Sequence, residues 1–155
     1  MTIPCRVLMV YPKFVPDSFW NYTEACELVG AKYPAAPLGL ITVAAMLPKY
    51  WDIHLVNRNT EPLMDADLDW ADLVMIGGML NQQPDFLYLI DLHGKPVCVG
   101  GPDVSSSPHL YAEADFQVIG PRLGLVRLGG GKRTQRRAGL PSKAALVGKR
   151  NMAGR

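Results

Sequence analysis

The chain has 155 residues, 48% of them hydrophobic, with 16 Lys+Arg against 14 Asp+Glu. That length suits one domain with a single core, and the apolar fraction excludes global disorder. No apolar run approaches the ~20 residues of a membrane span, and the first ten residues, MTIPCRVLMV, lack a secretory leader pattern. Cys5, Cys26 and Cys98 stand far apart with no CxxC, which points to reduced thiols and a cytoplasmic setting. The net charge of +2 conceals an asymmetry. All 14 acids and six bases fall in residues 1–120, a balance of −8, whereas residues 121–155 hold ten Lys/Arg and no acid.

In chain order, CRVLMVYP (5–12) reads as a buried strand ending at Pro12. Residues 12–37, with four prolines, read as a long irregular loop of the kind that carries function. LGLITVAAM has helical spacing, with Pro37 at its start and Pro48 as its stop. WDIHLVNRN (51–59) is a second strand, the acidic DADLDWAD (65–72) a connection, and DLVMIGG (72–78) a third strand. A helix over PDFLYLIDLH (84–93) follows, only ~15 Å long and therefore short for crossing a sheet. KPVCVGGPDVSSSP (95–108) is a fourth strand running into a loop, PHLYAEA (108–114) a short helix and DFQVIG (115–120) a fifth strand. Apolar strands alternating with helices predict an α/β, Rossmann-like (flavodoxin-like) three-layer sandwich. Its five-stranded parallel sheet is expected in the order 2-1-3-4-5.

In such sheets ligands sit beyond the carboxyl ends of the strands. The third and fourth strands both end in Gly-Gly, at Gly77-Gly78 and Gly100-Gly101. One such pair makes a tight turn; two pairs on neighbouring strands suggest a flat ligand lying against backbone. Familiar nucleotide signals fail. YPKFVP replaces GxGxxG after the first strand, and GGGKRT (129–134) lacks both the first glycine of a phosphate loop (Val126) and its magnesium-binding hydroxyl (Arg133). His54, His93 and His109 have no metal-ligand spacing, and no nucleophile–base set assembles.

RVLMVYP, APLGLITVAAMLP, HLVNRN, ADLVMIGGML and VCVGGPDVSSSP together resemble the cobalamin-binding N-terminal domain of cobalamin-dependent radical S-adenosylmethionine enzymes, in particular the hopanoid-methylating subgroup, over residues 5–120. The resemblance implies a corrinoid over the strand ends. It would be contacted by Gly77, Gly78 and Met79 after the third strand and by Gly100, Gly101, Pro102, Val104 and Ser105 after the fourth. Tyr11, Pro12 and Gly39 would complete the rim. The D-x-H-x-x-G motif that supplies a histidine to cobalt is absent, since Asp52 and His54 lie inside the second strand, so no protein imidazole on the metal is expected. The CxxxCxxC triad of the iron–sulfur cluster is also missing, which assigns cluster and S-adenosylmethionine chemistry to a parent domain outside this chain.

Residues 1–120 are therefore read as a cobalamin-binding domain fragment of a methyltransferase-type radical enzyme, with no catalytic residue and no metal ligand of its own. Residues 121–155 read as a basic, disordered tail with the composition of a frameshift product. It has no aromatic side chain to stack a base, which disfavours nucleic acid as a partner. The alternatives are a non-corrinoid α/β domain for a nucleotide or flavin, and a nucleic-acid-binding protein acting through the tail.

Overall fold

The computed structural model describes residues 4–91 and 94–120 and the backbone of 126–128. Its strands are β1 (Arg6–Tyr11), β2 (Asp52–Asn57), β3 (Leu73–Gly77), β4 (Val97–Gly100), β5 (Phe116–Val118) and β6 (Val126–Leu128). They form one sheet in the order β2-β1-β3-β4-β5-β6. The first five are parallel, as the Rossmann-like reading requires, and β6 adds an antiparallel edge against β5. That edge strand falls within the stretch expected to hold no regular structure; residues 121–125 and 129–155 of the tail lie outside the described residues.

Successive side chains of a strand point to opposite faces, and here both faces are apolar. Leu8, Val10, Val74, Ile76, Val97 and Val99 face one layer of helices, where Leu68 of α3 (Asp65–Trp70), Phe86, Leu89 and Ile90 of α4 (Gln83–Asp91) and Val104 of α5 (Pro102–Ser106) pack against them. Val7, Met9, Tyr11, Leu73, Met75 and Cys98 face the other side, covered by Leu40 of α2 (Leu38–Met46) with Phe14 and Trp51.

Four segments differ from their sequence reading. Residues 12–37 contain a helical turn (Phe19–Asn21) and α1 (Thr23–Val29), the acidic connection is α3, and PDVSS is the short helix α5 rather than loop. α3 is hard to foresee because its cap is supplied by Asp67, whose carboxylate accepts the Met64 N–H at 2.9 Å, instead of by a Ser or Thr. α5 starts with Pro102 in its first turn, a position where proline fits a helix. The helix expected over 108–114 shrinks to a turn, Pro108–Tyr111. α4 is described to Asp91; Leu92 and His93 lie outside the described residues. Among the described residues no helix is long and apolar enough to cross a membrane.

The cysteines report on this packing. Burial pushes the Cys98 thiol up to about 12, and burial with the neighbouring Asp72 carboxylate also raises Cys5. Cys26, on α1, is half-buried. At neutral pH a thiol reagent such as DTNB should titrate one cysteine rapidly in the native protein and all three after denaturation. Three fast thiols in the native state would mean that the sheet is open.

Candidate functional site at the C-terminal edge of the sheet

Gly77 of β3 pairs directly with Gly100 of β4, so the two Gly-Gly ends lie side by side. Their glycines answer to different neighbours. A Cβ on Gly77 would stand 3.0 Å from Cδ2 of Leu40, and one on Gly78 would stand 3.1 Å from both Gln82 Oε1 and the Phe86 ring. Gly101 has φ +111°, and a Cβ there would meet the Gly78 carbonyl oxygen at 2.8 Å. Much of the glycine signal is therefore chain packed on chain: α2 on β3, α4 on the loop after β3, and the loop after β4 on the loop after β3. Gly39 is the contrasting case, exposed, with nothing within 4 Å of its would-be Cβ.

The loops at this edge are held by buried and half-buried amides and carboxylates. The Pro12 carbonyl accepts from Gln82 Nε2 and, at 3.0 Å, from Asn59 Nδ2. Gln82 is completely buried, and its Oε1 accepts the Met79 N–H at 2.9 Å. Asn59 Oδ1 accepts the Phe14 N–H, and Asp85 accepts the Lys13 N–H at 2.7 Å while pairing with Arg58 at 3.0 Å. Across the edge, Asp103 is 3% exposed and accepts from Gln83 Nε2 at 3.0 and 3.2 Å and from the Tyr111 hydroxyl. Burial, reinforced by that carboxylate, pushes the Tyr111 phenol far above its ordinary value.

The structure thus sorts the eleven residues expected at the corrinoid. Gly39, Gly101 and Pro102 are exposed; Gly77, Met79, Gly100 and Ser105 are half-buried. Ser105 uses its hydroxyl to accept the Gly120 N–H at 3.0 Å. Gly78 is buried beneath Phe86 and Gln82. Tyr11, 5% exposed, is packed edge-to-face on Phe14, with centroids 5.8 Å apart. Pro12 and Val104 are core residues, and Val104 has no exposed surface at all. The side chains of these three residues are packed in the protein interior.

Sequence reasoning passed over Gln82, Asn59, Asp85 and Asp103. Isolated polar residues in the connections between strands and helices carry no pattern that foretells these hydrogen bonds. His54 lies midway along β2, opposite Leu8, against the ring of Trp70, and His109 is exposed in the turn before β5. A shallow cavity of about 260 Å³ opens beside α1, lined by Tyr22, Cys26, Val29 and Tyr33 among others, apart from the glycine pairs.

Two substitutions test this construction. Gln82→Leu removes one of the two donors to the Pro12 carbonyl and the acceptor of the Met79 N–H, and should cost about 1–3 kcal/mol in urea unfolding. Gly101→Ala puts a methyl against the Gly78 carbonyl at a φ unfavourable for L-residues and should cost about 1–2 kcal/mol or more. A neutral outcome for either would mean that the loop contacts are not those described.

No family model and no solved structure matches the chain. Among curated proteins it is 45% identical over 119 residues to an uncharacterized methyltransferase of Synechocystis sp., a match covering 74% of this chain and 22% of that protein. It is 33% identical over 121 residues to the hopanoid C-2 methylase of Rhodopseudomonas palustris, with the same coverage of each chain. The chain therefore spans about a fifth of the length of the curated relatives it matches, and it is related in sequence to one stretch of these methyltransferases.

Proposed function

We propose that residues 1–120 are the cobalamin-binding part of a methyl-transferring radical S-adenosylmethionine enzyme, a fragment without the iron–sulfur domain. The observation that carries this reading is the pairing of Gly77 with Gly100 at the carboxyl edge of a parallel sheet, in a chain related to a hopanoid C-2 methylase. The fit of the residues present supports it. Gly39, Gly101 and Pro102 offer exposed backbone without bulky side chains, a surface suited to a broad, flat ring. The half-buried Gly77, Met79, Gly100 and Ser105 would border it.

Cobalamin, when bound, supplies a cobalt centre able to carry a methyl group. This chain's part is to bind and orient it. The buried amide of Gln82 and the carboxylate of Asp103 would act as positioning groups, fixing the loops after β1, β3 and β4. His54 stands back from the edge, so the cobalt would take no imidazole from β2. The triad CxxxCxxC is not in the sequence, and Cys5 and Cys98 are buried in the sheet, which leaves cluster and S-adenosylmethionine binding to another part of the enzyme.

Hydroxocobalamin incubated with the protein should remain with it through gel filtration and show a corrinoid spectrum. Flavin or nucleotide retained instead would favour a non-corrinoid α/β binding domain. Gly39→Leu is the discriminating variant. The position is helical and open, so a side chain there should leave folding intact or add about 0.5–1 kcal/mol by relieving glycine's entropy cost. Cobalamin retention should fall at least tenfold. Undiminished retention would remove Gly39 from the site.

A further inference from the structure

β2 ends the sheet, and its outer side is satisfied at both ends but open in the middle. The N–H groups of Asp52 and Arg58 bond inward, to the Cys5 and Tyr11 carbonyls at 3.0 and 3.1 Å. Backbone groups alternate in direction along a strand, so Trp51, Ile53, Leu55 and Asn57 turn theirs outward. The end groups are answered locally, the Trp51 N–H by the Pro48 carbonyl at 3.0 Å and the Asn57 N–H by the Glu61 carboxylate at 3.3 Å. Among the described residues, no strand pairs with Ile53 and Leu55 on that side. Natural edges are blunted by lysine, proline or a bulge. β2, DIHLVN, has none of these; it pairs with β1 without interruption, and Ile53 is 37% exposed.

We infer that the outer side of β2 pairs, antiparallel, with β2 of a second copy of this chain, about a two-fold axis at Ile53. The pattern of the strand selects that occupant, because it is complementary to itself. Exposed Asp52 and His54 share one face, where His54 stands against Trp70. Trp51, Ile53 and Leu55 share the other, apolar one. A two-fold axis normal to the sheet keeps the faces apart and must fall on a residue. Centred on Asp52 it would oppose two carboxylates; centred on His54, two imidazoles, with Asp52 facing Val56. Centred on Ile53, it sets Asp52 opposite the second copy's His54 twice over, Ile53 opposite itself and Trp51 opposite Leu55. Ile53 then exchanges both backbone bonds with its counterpart, and each Leu55 N–H meets a Trp51 carbonyl. Asp52 and His54 fall at the positions between bonded pairs, where facing side chains come closest. The outer side of β2 is the flank of the sheet and not its carboxyl end, so the inference does not rest on the cofactor reading.

Sedimentation velocity of the 155-residue chain tests it. One strand edge is a small interface, so the dimer should grow in as concentration rises from ~10 μM to ~1 mM. Ile53→Lys sets two ammonium groups face to face on the axis and should weaken the dimer about tenfold or more. His54→Asp opposes carboxylates at both outer pairs and should weaken it too. Asp52→His combined with His54→Asp exchanges the partners and should restore the parent's dimer. A chain monomeric throughout the range overturns the inference. So does a dimer indifferent to Ile53→Lys, or a His54→Asp defect that the exchange does not rescue. Should a variant lose its native circular dichroism, hydrogen exchange of the parent decides. The Ile53 and Leu55 amides should exchange about fivefold more slowly or better in the concentrated sample than in the dilute one. Equal exchange in the two overturns the inference. Failure to retain hydroxocobalamin with the dimer intact would defeat the cofactor reading and leave this one standing.

Discussion

The Pro12 carbonyl is the point to which the carboxyl edge of the sheet is anchored. A buried carbonyl must find a donor, and this one has two, the side-chain amides of Gln82 and Asn59. Gln82 belongs to the turn that opens α4, so satisfying Pro12 also places that helix and drops Phe86 onto the core beside Tyr111, ring centroids 4.7 Å apart. Its other end takes the Met79 N–H and so determines the course of the chain after β3. Asn59 brings in the segment after β2. Three strand ends are thereby fixed relative to one another by two amides, and the glycines follow from that geometry. A Cβ on Gly78 would crowd Gln82 and Phe86, which are already there.

The loop after β4 joins this assembly through backbone. Gly101 reaches Gly78 closely enough that only a residue without Cβ fits, and its positive φ turns the chain into α5. Asp103 then holds α5 from below, between Gln83 and Tyr111. The carboxylate has three short contacts and almost no water, so its removal would unpair two donors at once. A single glycine, Gly101, thus meets two demands: it lets loops touch, and it leaves bare backbone facing solvent.

The strands and their order were legible because β1, β3 and β4 are continuous apolar runs, and right-handed crossovers leave few ways to arrange them. Glycine doublets at two strand ends were legible for the same reason that they exist: side chains are excluded there. The helices α1, α3 and α5 were not legible. α1 buries no residue and begins after Tyr22, which has φ +48°, so neither apolar period nor a normal cap announces it. α3 and α5 are six and five residues long, too short for a period to register. Val104 illustrates the limit at the site. Its place in the PDVSSS segment suggested a rim residue, but once PDVSS winds into a helix, that side chain turns inward and joins the core cluster that also holds Val99 and Tyr111.

The hydrogen bonds of this edge bear on how anything could settle on it. A ligand that must first order its binding loops forfeits part of its contact energy to the lost chain entropy. Here the segments after β1, β3 and β4 are already pinned by the Pro12, Met79 and Asp103 hydrogen bonds, so that forfeit is small. Such a surface behaves as a mould rather than a hand: it admits a shape that matches it and has little means of closing around one that does not. On the proposed reading, discrimination among flat ligands would reside in the contour of exposed backbone at Gly39, Gly101 and Pro102, and retention time in whatever lies above them.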